Sequence, residues 1–231
     1  MRLKNFRSRF VQVLVATATA GFAGACAGAG TGGGSAPGAP AAPATQPVRS
    51  SRDTSALIPP GLGSLHQDDI SIAVTNNGLT VRATPLSDDF IRTLSPDSYR
   101  TLFNARESRR AALDAISQRT GLPSLNLWYV LFYNAQMGEA PFSPRDVVLT
   151  NQARDYKPID VIAITGGFGE QRIRQGQTAA GILVFDGSIN PNQPLTMTIG
   201  TQTGGDWQSV IQRVEAERAR IRARAGTNGR Q

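Results

Sequence analysis

The sequence predicts a mainly β fold with helices (α+β): an antiparallel β-sandwich with a helical insertion and a C-terminal helix, placed after a long tether. Three observations predict it. Short runs of alternating apolar residues recur between Gly, Pro, Asn and Asp clusters, one capped helical stretch interrupts them, and the chain from residue 206 changes to helical spacing. About 165 residues follow the signal and tether, enough for one domain with a sizeable core.

Ile70, Ile72 and Val74 alternate with polar or small neighbours, Asn76-Asn77-Gly78 follows, and Leu79, Val81 and Ala83 resume the alternation. Asn-Gly suits a tight hairpin because both central residues take positive φ. A helical insertion is expected over about 87–121, with Ser95 as N-cap, Pro96 as first helical residue and Gly121 as the stop before Pro123. Arg106, Arg109 and Arg110 interrupt its apolar stripe, which leaves one interrupted helix or two shorter ones, with an earlier helical turn over 87–94. From Leu125 the period returns to two. Leu127, Tyr129, Leu131 and Tyr133 share one face, Trp128, Val130 and Phe132 the other, and a strand apolar on both faces needs cover on both. A second sheet is expected on one face and the helical insertion on the other, which would leave neither Trp128 nor Tyr129 in solvent.

Further strands are expected at 146–150, 159–165, 178–185 and 195–199. The last helix is expected from its N-cap, Asp206, to about Ala225, with Trp207, Val210, Ile211, Val214 and Ile221 lining one side. Arg218, Arg220, Arg222 and Arg224 crowd its end, where they are expected to complement the negative helix terminus while staying solvated. The alternative is contact with anionic lipid headgroups or an acidic envelope polymer.

The N-terminus reads as an export signal over 1–25, with Arg2, Lys4, Arg7 and Arg9 preceding an apolar run from Val11 to Ala23 that is too short to span a bilayer. Ala23-Gly24-Ala25-Cys26 resembles the lipobox of bacterial lipoproteins, although Ala23 stands where leucine is usual and equally gives an Ala-x-Ala cleavage site. The resemblance implies a diacylglyceryl thioether and an amide-linked acyl chain on Cys26, and hence a protein anchored in a membrane of the cell envelope. Two features favour it over a soluble periplasmic or secreted protein. Cys26 is the only cysteine, so it has no disulfide partner in the chain, and a disordered Gly/Ala/Pro-rich tether is expected over 26–64. The domain then covers 65–205, with an amphipathic helix and basic tail over 206–231.

The segments 142–149 (Phe-Ser-Pro-Arg-Asp-Val-Val-Leu), Tyr156-Lys157-Pro158, Gly176-Gln177 and Gly181-Ile182-Leu183-Val184-Phe185 resemble the immunoglobulin-like domains of bacterial surface lipoproteins. The resemblance covers residues 125–200 and implies a fold rather than an activity, because such domains share none.

The net charge of +7 resides mostly outside the body: residues 1–25 carry +4, residues 26–205 balance 14 basic against 14 acidic side chains, and residues 206–231 carry +3. Nucleic acid therefore loses most of its support as a partner. His66 and Cys26 are the sole histidine and cysteine, too few for a zinc or copper site. Asp186, Ser188 and Asn190 open like a calcium loop, but Pro191 and Met197 stand where glycine and glutamate are needed. No Gly-x-Ser-x-Gly elbow occurs, and Lys157 is the one lysine outside the signal. Gly166-Gly167-Phe168-Gly169-Glu170 is expected to be a mobile loop with Phe168 at its tip, the functional alternative being that Phe168 serves as a contact residue. No catalytic residue, cofactor or metal is assigned. The preferred function is a non-enzymatic envelope lipoprotein that binds or assists a protein or envelope-polymer partner. The alternative is a carboxylate-dependent hydrolase of envelope glycan using acids from among Asp68, Asp69, Asp88, Asp89, Glu139 and Glu170.

Overall fold

Asn77 and Gly78 take φ of 48° and 77°, and this two-residue turn joins β1 (Ile72–Asn76) to β2 (Leu79–Pro85) in register from Ile72↔Ala83 to Asn76↔Leu79. The computed structural model describes residues 58–169 and 172–228. The signal, Cys26, the tether up to residue 57, Glu170 and Arg230 lie outside the described residues.

The central strand, β3 (Leu125–Asn134), pairs with β2 on one side and with β9 (Thr178–Asp186) on the other; β7 (Asp160–Ala163) completes an antiparallel sheet of order β1-β2-β3-β9-β7. A second antiparallel sheet has the order β11 (Gln202–Gly204), β10 (Leu195–Ile199), β5 (Val148–Asn151), β6 (Arg154–Tyr156), and β4 (Glu139–Pro141) pairs with β8 (Arg172–Arg174). The chain is thus mixed α+β, with antiparallel sheets and a C-terminal helix.

Three helices form the insertion: α1 (Asp88–Ile91), α2 (Pro96–Glu107) and α3 (Arg110–Thr120). Ser95 is the N-cap residue of α2 and Gly121 ends α3, while the break at Ser108-Arg109 resolves the expected stretch into two helices. The cover on β3 follows from register. Leu127 lies opposite Val184 and Tyr129 opposite Ile182, and both β9 residues are fully buried on that face. Asp160 and Ile162 of β7 continue the same face, and Arg119 of α3 pairs with Asp160. Leu102, Leu113 and Ile116 of the insertion belong to the core, while on this face of β3 Tyr129 is half-buried, its phenol pKa raised by burial, and Tyr133 is left 39 % exposed. On the opposite face Trp128 is fully buried against Trp207, and Val130 and Phe132 share one core with Leu149 and Met197 of the second sheet.

The helix α4 (Trp207–Asn228) buries Trp207, Val210, Val214 and Ile221, and the same face carries Glu217 and Arg218, only 6 % and 7 % exposed. Arg218 therefore departs from the solvated end expected of it. A buried guanidinium needs full pairing, and it finds Asp89, Asn192 and Glu215, with the ring of Phe90 beneath it. Arg220 pairs with Glu217, while Arg222 and Arg224 stay exposed.

Ile58, inside the segment assigned to the tether, is packed and 4 % exposed. The Ser64 N–H and hydroxyl both donate to Glu217 Oε1, at 2.8 and 3.1 Å, and Leu65 bridges Leu94. Phe168 is also corrected. It is 2 % exposed, wedged between Phe132 and Phe142, rather than offered at a loop tip.

Candidate polar cleft

The β9–β10 connection, expected as a polar loop, is held rigidly. Asn151 brackets Asn190, accepting its N–H at 3.0 Å and donating to its carbonyl at 3.2 Å, and also donates to Pro194 O at 3.0 Å. Asn126, near the start of β3, donates to Ile189 O at 2.8 Å and accepts the Trp128 indole N–H at 2.7 Å. Trp207 donates its own indole N–H to Pro191 O at 2.8 Å. The hydroxyl and N–H of Ser188 together hold the Asp186 carboxyl below the usual range, helped by Arg154.

Between this loop, the start of β3 and α1 lies a cleft of about 680 Å³. Its size falls within the roughly 300–1,000 Å³ of small-molecule sites. Arg106 donates to Leu86 O at 2.9 Å and to Asp88 Oδ1 at 2.7 Å, while Arg92 takes Asp88 Oδ2 at 3.3 Å. Asn192 donates to Asp89 Oδ2 at 3.0 Å and accepts from Arg218 at 2.9 Å. Ser87 also lines the cleft, and its Oγ is buried with no hydrogen-bond partner among the described residues. Leu125, Leu127 and Pro191 supply apolar wall.

Of the acids named for a hydrolase, the described ones, all but Glu170, are dispersed and paired. Arg82 takes Asp68, Arg213 takes Asp69 at 3.6 Å, Arg218 takes Asp89 at 3.3 Å, and Arg174 and Arg172 take Glu139 at 3.5 and 3.7 Å. Among the described ones, only Asp88 and Asp89 reach the cleft. Where a carboxyl pKa moves, it moves down. For Glu217 and Asp160 burial pushes upward but is outweighed, by Arg220 and Ser64 in one case and by the Val161 N–H, Arg119 and Arg145 in the other. A general acid needs the opposite shift.

His66 is exposed and its N–H donates to Asp69 at 2.8 Å. Among the described residues no three His, Cys, Asp or Glu side chains group as a metal site. Lys157 and Ser143 line a second concavity of about 800 Å³, with no hydrogen bond joining them. No described helix is long and apolar enough to cross a membrane.

Sequence reasoning misses Asn126, Asn190, Asn192, Arg106 and Ser87 as one group, because they come from three separate segments. The signal that could have found them is the Asn-rich run 186–193, which matches a calcium pattern only at its opening.

The fold defines a mixed α+β domain with antiparallel sheets. No family model and no curated protein matches the chain. Among solved structures it is similar to a functionally unknown protein from Listeria monocytogenes EGD-e, at 14% identity and a TM-score of 0.29, over 58% of this chain and 74% of that one. A likeness of that size carries no argument about fold or function.

Proposed function

We propose that this protein is an exported, non-enzymatic lipoprotein, anchored through Cys26 in a membrane of the cell envelope, whose domain binds an envelope component in the Asn-lined cleft. In this reading the two larger sheets form an immunoglobulin-like sandwich. One shared core between Val130 and Phe132 on one sheet and Leu149 and Met197 on the other supports that arrangement.

One observation carries the choice of binding over hydrolysis. The two acids that reach the cleft are held by arginines, Asp88 by Arg106 and Arg92 and Asp89 by Arg218. Asp88 has both oxygens taken by guanidinium donors and Asp89 has one taken by Arg218 and Asn192, so the pair does not offer the two free carboxyls that flank a bond in glycoside hydrolysis. The Asn side chains beside them are locked by bonds to the backbone, which preorganises a surface for recognition.

The anchoring half is tested by fractionation. Wild-type chain should partition with membranes and incorporate labelled palmitate, and Cys26→Ser should lose both. Membrane partition unchanged by Cys26→Ser would sink the anchor. The binding half is tested by Asp88→Asn and Asp89→Asn: partner capture should weaken, with no glycan-cleaving activity to lose in the wild type.

A further inference from the structure

With the internal bonds of the cleft accounted for, its remaining polar groups define what it takes. Asp88 has both oxygens engaged, by Arg106 and Arg92. Asp89 Oδ1, Arg106 Nη2 and Asn190 Nδ2 make no hydrogen bond to the described residues. Ser87 Oγ is buried without a partner in the same wall. That hydroxyl is closed off from the cleft, so the unbonded groups open to a ligand are those of Asp89, Arg106 and Asn190.

Charge selects further. Arg106 is offset by Asp88 and Asp89 by Arg218, so the cleft favours neither a cation nor an anion. What remains is a set of donors and acceptors beside aliphatic wall from Leu125, Leu127 and Pro191. A polyhydroxylated ring answers each part: its hydroxyls both donate and accept, and its C–H faces lie against apolar side chains.

We propose that this cleft is a neutral-saccharide site, in which Asn190, Asp89 and Arg106 bond the sugar hydroxyls. This rests on reading the cleft as a binding site and names its ligand class.

The protein carries its own reporter. Its two tryptophans, Trp128 and Trp207, donate their indole N–H groups to Asn126 and to Pro191 O, both in the cleft wall. Purified full chain is titrated with the N-acetylglucosamine trimer and, separately, with maltotriose, each to about 10 mM, while indole emission is followed. A saturable change with at least one sugar is expected. Asn190→Ala should weaken it about five- to ten-fold, the worth of one hydrogen bond. Its circular dichroism should be unchanged, since among the described residues the Asn190 side chain bonds just the Asn192 N–H. Asn190→Asp keeps the oxygen that accepts the Asn192 N–H at 3.0 Å, removes the amide donor and adds charge, so it should abolish the response. No saturable change with either sugar, or a change that both variants leave intact, overturns the proposal. A photo-crosslink from the cleft to a protein, without any sugar response, overturns the saccharide assignment alone; the absence of both removes the binding reading as well.

Discussion

Arg218 and Glu217 show how a polar residue comes to hold a fold together. They sit on the helix face that Trp207, Val210, Val214 and Ile221 bury, and each compensates for lost water with charged hydrogen bonds. Removing one side of such a buried pairing is costly, so Arg218→Met should destabilise the domain by about 3 kcal/mol in urea unfolding. Arg222→Met, exposed one turn later, should change it by less than about 0.5 kcal/mol. Acid sensitivity follows from the same chemistry. Glu217, Asp160 and Asp186 have folded-state pKa values below the ordinary carboxylate range, so each contributes stability that is present above its unfolded-state value and is lost as pH falls through the lowered one. Urea midpoints should therefore decline below about pH 4.5. Glu217→Gln should be less stable at neutral pH and show a shallower decline. These roles leave no mark in the sequence, because helical periodicity ranks positions by hydropathy, and a charged residue on the buried face reads as an interruption.

Elements with local determinants are legible in the amino-acid sequence alone. The hairpin at Asn77-Gly78, the Ser95–Pro96 start, the Gly121 stop and β3 all rest on signals within a few residues of one another. The three-residue strands β4, β6, β8 and β11 are not legible, since three residues hold too little alternation and exist through their pairing. The loop at 166–169 departs from expectation for a related reason: its glycines suggest mobility, whereas its order comes from distant β9. Phe168 lies directly over Gly181, where a Cβ would fall 2.3 Å from the ring. Gly181→Ala should therefore expel Phe168 and make this loop the first site of limited proteolysis, with the rest of the domain cut at the wild-type rate. The N-terminal strap is the second long-range element. A chain starting at residue 66 should be at least about 2 kcal/mol less stable than one starting at 58, from the loss of Ile58 burial and the Ser64–Glu217 bonds.

At the scale of the whole molecule, β3 organises the domain because one face, Trp128, Val130 and Phe132, is fully buried and the other is half-buried as far as Leu131, leaving Tyr133 exposed. The strand's need for cover is readable from its apolar alternation. The cleft is not, because it forms where the start of β3, the turn of α1 and the β9–β10 loop meet, and no one segment carries more than part of it. Its polar residues do two jobs, bracing the loop and presenting donors and acceptors outward. The balanced charge of residues 26–205 fits a neutral ligand better than a nucleic acid or an ionic substrate. Binding through this cleft at the cell envelope is tested most directly by placing a photo-activatable residue at Ser188, an exposed position of the cleft wall, in intact cells. An envelope glycan or glycan-bearing component should be captured, and on the lipoprotein reading the yield should fall in the Cys26→Ser protein. No capture from Ser188, alongside efficient capture from a surface position such as Thr203, would contradict it.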